Sequence, residues 1–176
     1  MTLQNSIAAK GKYETAILAG GCFWGMQQLI NEQSGIISSK VGYTGGDIDN
    51  PTYEVVSTGI TNHAEAVEIV FDPQKISYEK LLKFFFTIHN PTTVNRQEND
   101  VGTQYRSAIF YLSEAQKETA LKVVDMANKS GVFKKPVVTQ VLKAKKFWPA
   151  EEYHQNYLKK NPYGYTCHHV REEWKF

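Results

Sequence analysis

The sequence predicts an α+β fold: a mixed sheet with helices packed on it, built on a split β-α-β core. Three observations point there. Strand-like and helix-like apolar patterns alternate along the chain, yet the strand candidates at residues 36–43 and 64–71 have no helix between them. With 176 residues, 41% of them apolar, the chain fits one domain, 1–176, and carries enough apolar surface to offset its ordering entropy.

Residues 1–12 are polar and aperiodic, which suits a mobile lead-in. Residues 13–19 read as a strand, with Ala16-Ile17-Leu18-Ala19 fit for a position covered on both faces, and Gly20-Gly21 ends it. From Cys22, the residues Met26, Leu29, Ile30 and Gln33 recur at helical spacing until Gly35. After the strand at 36–43, residues 44–62 are rich in Gly, Asp, Asn and Pro and read as a loop. Residues 64–71 form the next strand. Ser77 can cap a helix bearing Tyr78, Leu81, Leu82 and Phe85, which ends near Asn90-Pro91. Residues 90–104 lack periodicity, as a binding or active-site loop would. A strand at 105–112 follows. Ser113 and Gln116 then open a helix with Ala120, Leu121, Val124 and Ala127 on one face, closed near Gly131. A strand at 137–143 and a short helix at 151–159 complete the pattern. Residues 161–176 are expected to wrap the surface as a tail.

Composition excludes several classes. The longest apolar run, residues 108–112, is far short of the roughly 20 residues of a membrane span or the about 7 to 15 of an export signal. The expected location is therefore the cytoplasm, where thiols stay reduced. A net charge of +2 is too small to advertise a nucleic-acid partner. Residues 133–176 hold 9 Lys/Arg against 4 Asp/Glu, read as a solvated basic face. No heptad or long apolar stripe is evident, so a monomer is expected.

Two cysteines are too few for a disulfide-stapled domain, leaving buried hydrophobe or reactive thiol as their uses. Cys22 follows two glycines at a helix start, where unpaired N–H groups and the positive dipole end favour a thiolate. Phe23 and Trp24 are either core or a wall of an apolar pocket beside it. Period-two alternation puts Glu65 on the same face as Val67, Ile69 and Phe71; a carboxyl there has its charged form disfavoured and can deliver a proton near neutral pH. The competing reading ends Glu65 in water, or pairs it with Arg96 or Arg106. Tyr53 and Tyr105 offer uncharged hydrogen-bond donors, and the long loop supplies Asp100 shortly before Tyr105. Cys167 in Gly164-Tyr165-Thr166-Cys167-His168-His169 can reach a second thiol, and His168 or His169 can favour its thiolate. A Cys-His-His metal site is disfavoured because adjacent histidines in an extended chain point apart.

Four segments together resemble a known family: Gly21-Cys22-Phe23-Trp24-Gly25, His63-Ala64-Glu65-Ala66-Val67, the run from Asp100 to Ser107, and Tyr153-His154-Gln155. The chain resembles the A-type peptide methionine-S-sulfoxide reductases from about residue 13 to 167. The resemblance implies a ferredoxin-like core and thiol-dependent reduction of the S epimer of methionine sulfoxide, free or in proteins, with thioredoxin as reductant and no metal, flavin or nucleotide. It implies Cys22 as nucleophile, Glu65 as acid, Tyr53 and Tyr105 as donors to the sulfoxide oxygen, and Asp100 as polar support. Phe23 and Trp24 would cradle the S-methyl group, and Cys167 would resolve the oxidised Cys22. Many relatives carry a third cysteine in a longer tail; none is present here, so a second disulfide relay is not expected. Two other classes stay open: a cysteine hydrolase using His63 or His89 as base, and an RNA-binding module using exposed sheet aromatics.

Overall fold

The structure, a computed structural model, describes residues 12–176. The lead-in expected over 1–12 therefore falls, apart from Lys12, outside the described residues. The elements run β1 (Glu14–Gly20), α1 (Phe23–Asn31), β2 (Ile36–Thr44), α2 (Tyr53–Ser57), β3 (Ala64–Phe71), α3 (Tyr78–Ile88), β4 (Arg96–Gln97), β5 (Asp100–Val101), β6 (Ser107–Tyr111), α4 (Glu114–Ser130), β7 (Gln140–Lys143), β8 (Trp148–Pro149) and α5 (Tyr157–Lys160).

Six strands form one sheet in the order β7-β6-β1-β3-β2-β8. Its centre, β6-β1-β3-β2, is antiparallel throughout and is the expected split β-α-β arrangement, with β3 lying between β1 and β2. The sheet is mixed because β7 joins β6 in parallel. β4 and β5 make a separate two-residue ladder.

Alternation on β1 sorts the two sides of the sheet. Ala16 and Leu18 join the main core with Val67, Ile69 and Phe71 of β3, beneath Phe23, Met26 and Ile30 of α1 and Leu81, Leu82, Phe85 and Phe86 of α3. Ile17 and Ala19 enter a smaller cluster on the other side with Ala66, Ala108 and Phe110, against which Ala144 and Phe147 pack. That face is covered by side chains from the chain itself, which removes the open aromatic platform an RNA-binding sheet needs.

The caps read from sequence form as expected. Ser77 Oγ accepts the Lys80 N–H at 3.1 Å, and Ser113 Oγ accepts the Gln116 N–H at 3.2 Å. Gly131 ends α4 in the left-handed region at φ 79°.

Five expectations need correction. Residues 44–62 contain α2, started by Thr52, whose side chain accepts from Val55 N. The buried face of α4 carries Gln116, Ala120, Val123 and Ala127, while Leu121 is exposed, so the helix is rotated from the face expected. The strand expected at 105–112 begins at Ser107, because Thr103–Tyr105 is a 3₁₀ turn. The helix expected at 151–159 is broken into a 3₁₀ turn, Glu152–His154, and α5, by Asn156 at φ 52°. The tail only partly follows the surface: His168 and Arg171 are buried, and Phe176 packs against the core. Among the described residues no helix is long and apolar enough to cross a membrane.

Candidate active site

The site lies where β1 hands over to α1. Gly21 sits at φ 96°, and a Cβ there would fall 2.6 Å from Gln97 Cγ, so the turn requires glycine. It delivers Cys22 as the residue before the first turn of α1, with an extended ψ of 121° and its side chain not used for capping. Cys22 as a whole is 8% exposed.

Glu65 approaches from β3, directly across from Tyr43 of β2. Its Oε1 accepts the Phe23 N–H at 3.2 Å. The side chain is buried among the core residues of its strand face, as alternation predicted, and it pairs with no arginine: Arg96 reaches Glu98 O, and Arg106 reaches Gln140 and Thr103 O. Burial pushes the Glu65 carboxyl up to about 8, Asp100 adds to the rise, and the Phe23 N–H opposes it. This carboxyl holds its proton at neutral pH.

One cavity of about 90 Å³ is lined by Cys22, Phe23, Trp24, Tyr53, Glu65, Asp100, Tyr105 and Tyr165. It thus gathers seven of the eight residues singled out from the sequence. The exception is Cys167, which stands behind Asp100 with Sγ 3.8 Å from Oδ2.

Several residues of the cavity have a visible support. Trp24 donates Nε1–H to His154 Nδ1 at 2.9 Å and stacks on Tyr157 at 3.8 Å between ring centroids. Glu151 accepts the Tyr53 N–H at 3.0 Å and the Tyr43 hydroxyl at 2.9 Å, which fixes the start of α2 to the edge of the sheet. Asp100 is carried by the β4–β5 ladder, whose base is closed by Gln97 bonding both the N–H and the carbonyl of Asn90 at 2.8 and 2.6 Å. Tyr165 donates its hydroxyl to Asp100 Oδ1 at 3.3 Å.

Electrostatics corrects two sequence-based expectations. Burial, then the Glu65 charge, raises the Cys22 thiol above its ordinary value, and the Trp24 backbone N–H only partly opposes this. The helix terminus does not outweigh desolvation, so the resting sulfur is a thiol. Cys167 is likewise pushed up to about 11 by burial and by Asp100. His168 does not favour its thiolate, because burial holds that ring near 4 and hence neutral.

The residues missed from sequence are Glu151, His154 and Tyr165. The first two fell inside a stretch read as plain helix, although Tyr153-His154-Gln155 stood out as a motif. Tyr165 was visible only as a neighbour of Cys167. The hydrolase alternative loses its bases: His63 bonds Gly46 N and Ile48 O, His89 bonds Phe85 O and Ser107, and neither lines the cavity. His168 and His169 diverge, one buried and one exposed.

Comparison with known proteins agrees with this geometry. A profile of the family described as Peptide methionine sulfoxide reductase matches residues 14–175. The chain is 54% identical over 163 residues to the peptide methionine sulfoxide reductase MsrA of Mycobacterium sp. (strain MCS), covering 93% of each chain. It superposes on the crystal structure of reduced Mxr1 from Saccharomyces cerevisiae with a TM-score of 0.88 at 38% identity, over 93% of this chain and 94% of that one. Against Mxr1 in complex with Trx2 the TM-score is 0.65 at 27% identity, over 93% of each chain. The chain belongs to the peptide methionine sulfoxide reductase family, as an A-type member.

Proposed function

We propose that this chain reduces the S epimer of methionine sulfoxide, free or within proteins, to methionine, acting as a monomeric cytoplasmic repair enzyme recycled by thioredoxin. The observation that carries this is a buried thiol and a protonated carboxyl, Cys22 and Glu65, lining one small cavity with three phenols, those of Tyr53, Tyr105 and Tyr165.

A sulfoxide sulfur becomes electrophilic when its oxygen is protonated. Glu65 gives its proton to that oxygen while Tyr53 and Tyr105 donate hydrogen bonds to it, an effect often worth about 3 kcal/mol in a water-excluded site. The Cys22 sulfur attacks the substrate sulfur, and methionine leaves with the oxygen transferred to Cys22 as a sulfenic acid. The proton Cys22 loses replaces the one Glu65 gave. Phe23 and Trp24 form the apolar wall for the S-methyl group. Cys167 condenses with the sulfenic acid, expelling water, and an external dithiol reduces the resulting disulfide by exchange. The solved complex of Mxr1 with Trx2 supports a thioredoxin in that role.

Turnover of the separated S and R epimers of a blocked methionine sulfoxide, with a dithiol donor, tests the reading. Consumption of the S epimer alone is expected; equal consumption of both, or of neither, would overturn it.

A further inference from the structure

The functional reading leaves the buried His168 of the tail unused. His168 lies against the end of β1, with Nε2 2.7 Å from Gly20 O, while its backbone N–H is bonded to Thr166 Oγ1 at 3.1 Å. A carbonyl oxygen can only accept, so Nε2 carries the ring hydrogen, and the neutral ring presents the Nδ1 lone pair to Cys167 Sγ at 3.7 Å. The seat for this ring is built into the glycines around Cys22: a Cβ on Gly25 would come 2.7 Å from Nδ1, and one on Gly21 3.3 Å from Nε2.

The chain positions give this bond its meaning. His168 directly follows Cys167, and Gly20 stands two residues before Cys22. One hydrogen bond therefore joins the strand end that carries one cysteine to the segment that carries the other. The other polar side-chain contacts of Tyr165 and Cys167 run to Asp100, on the β4–β5 ladder, and not to β1. Farther along, Arg171 is held separately, by its N–H to Thr87 O at 2.9 Å and by its guanidinium to Glu98 at 3.0 Å. Residues 159–163 before the motif are exposed.

We infer that His168 is a positioning residue for the resolving step, its Nε2–H bond to Gly20 O holding Cys167 within reach of oxidised Cys22. This rests on the reading of Cys167 as the resolving thiol. In that step the Cys167 sulfur supplies the electron pair of the new S–S bond. The S–O bond of the Cys22 sulfenic acid breaks, and its oxygen leaves as water with its own hydrogen and the proton from Cys167. No further reactant is needed. Tethering raises the local concentration of the attacking thiol without changing its chemistry.

The test compares reduced wild type, His168→Ala and His168→Gln in a single turnover with an S-epimer substrate, following methionine release and, by quenched peptide mapping, the Cys22–Cys167 disulfide. A glutamine amide can place a donor where Nε2 stands but offers no nitrogen lone pair to Cys167. In His168→Ala, disulfide formation is expected to slow roughly tenfold or more relative to methionine release in the same variant, and His168→Gln is expected to recover most of that loss. Wild-type disulfide formation in His168→Ala would overturn the proposal. So would a His168→Gln variant that forms the disulfide roughly tenfold or more slowly than wild type, which would move the function to Nδ1. If His168→Ala loses its folded near-UV spectrum, the glutamine variant decides alone against wild type. Absence of the disulfide in wild type itself would instead remove Cys167 as the resolving thiol.

Discussion

The carboxyl of Glu65 is bonded to the N–H of Phe23, the residue next to the thiol of Cys22. The acid and the nucleophile are thus held to one another through a single peptide unit.

Replacing Glu65 by Gln keeps an acceptor for Phe23 N–H and removes the proton. Turnover is expected to fall about 10²-fold or more. In the wild type the rate should decline as pH rises through about 8, where the carboxyl ionises. Steady-state rates across pH 5 to 9 check both; a near-normal rate in the variant would reassign the proton donor.

The same shift has a stability consequence. A carboxyl whose folded value is raised contributes stability that is complete below its unfolded value, roughly 4.3, and is lost as pH rises through the folded one, about 8. Glu65→Gln has nothing to ionise. Its unfolding free energy relative to wild type, measured by denaturant titration at each pH, should therefore climb with pH across that window, by an amount on the order of a few kcal/mol. A difference that stays constant from pH 4 to 9 would contradict the buried, protonated assignment.

Cys22→Ser should abolish methionine production. Cys167→Ser should release about one methionine per enzyme and then stall with thioredoxin, the sulfenic acid accumulating at Cys22. Rapid-quench counting of methionine per active site checks this, and equal steady-state rates for Cys167→Ser and wild type would remove the resolving role.

Glu151 touches no substrate in this scheme, yet it secures both Tyr53 and Tyr43. Glu151→Ala leaves the buried Tyr43 hydroxyl without its acceptor, at a cost of about 1–3 kcal/mol. Denaturant unfolding of Glu151→Ala beside the double variant with Tyr43→Phe measures it: the second change should restore much of the loss.

The sequence was most legible where one period or one cap decides the outcome. The glycine pair ahead of Cys22, the alternation that buries Glu65, and the Ser77 and Ser113 caps all act within a few residues, and all are found in place. What was hidden depends on distant partners. The polar stretch around Tyr53 becomes helical once Thr52 caps it and Glu151, 98 residues away, takes its first N–H. The 151–159 stretch has helical composition but is split at Asn156, whose N–H bonds Gln27 Oε1 at 2.8 Å. The thiolate expected at Cys22 failed for a related reason: helix position is visible in sequence, while the depth of burial that opposes it is a property of the packed molecule.

The edge of β2 is finished by a side chain. Gln155 accepts from Val41 N at 2.9 Å and donates to Val41 O at 2.9 Å, standing in for a neighbouring strand beside the short β8 pairing. A bare strand margin would invite any extended polypeptide to add on. With a glutamine amide already seated there, a stray extended segment has to displace it to gain a ladder, so this margin resists becoming a seed for aggregation.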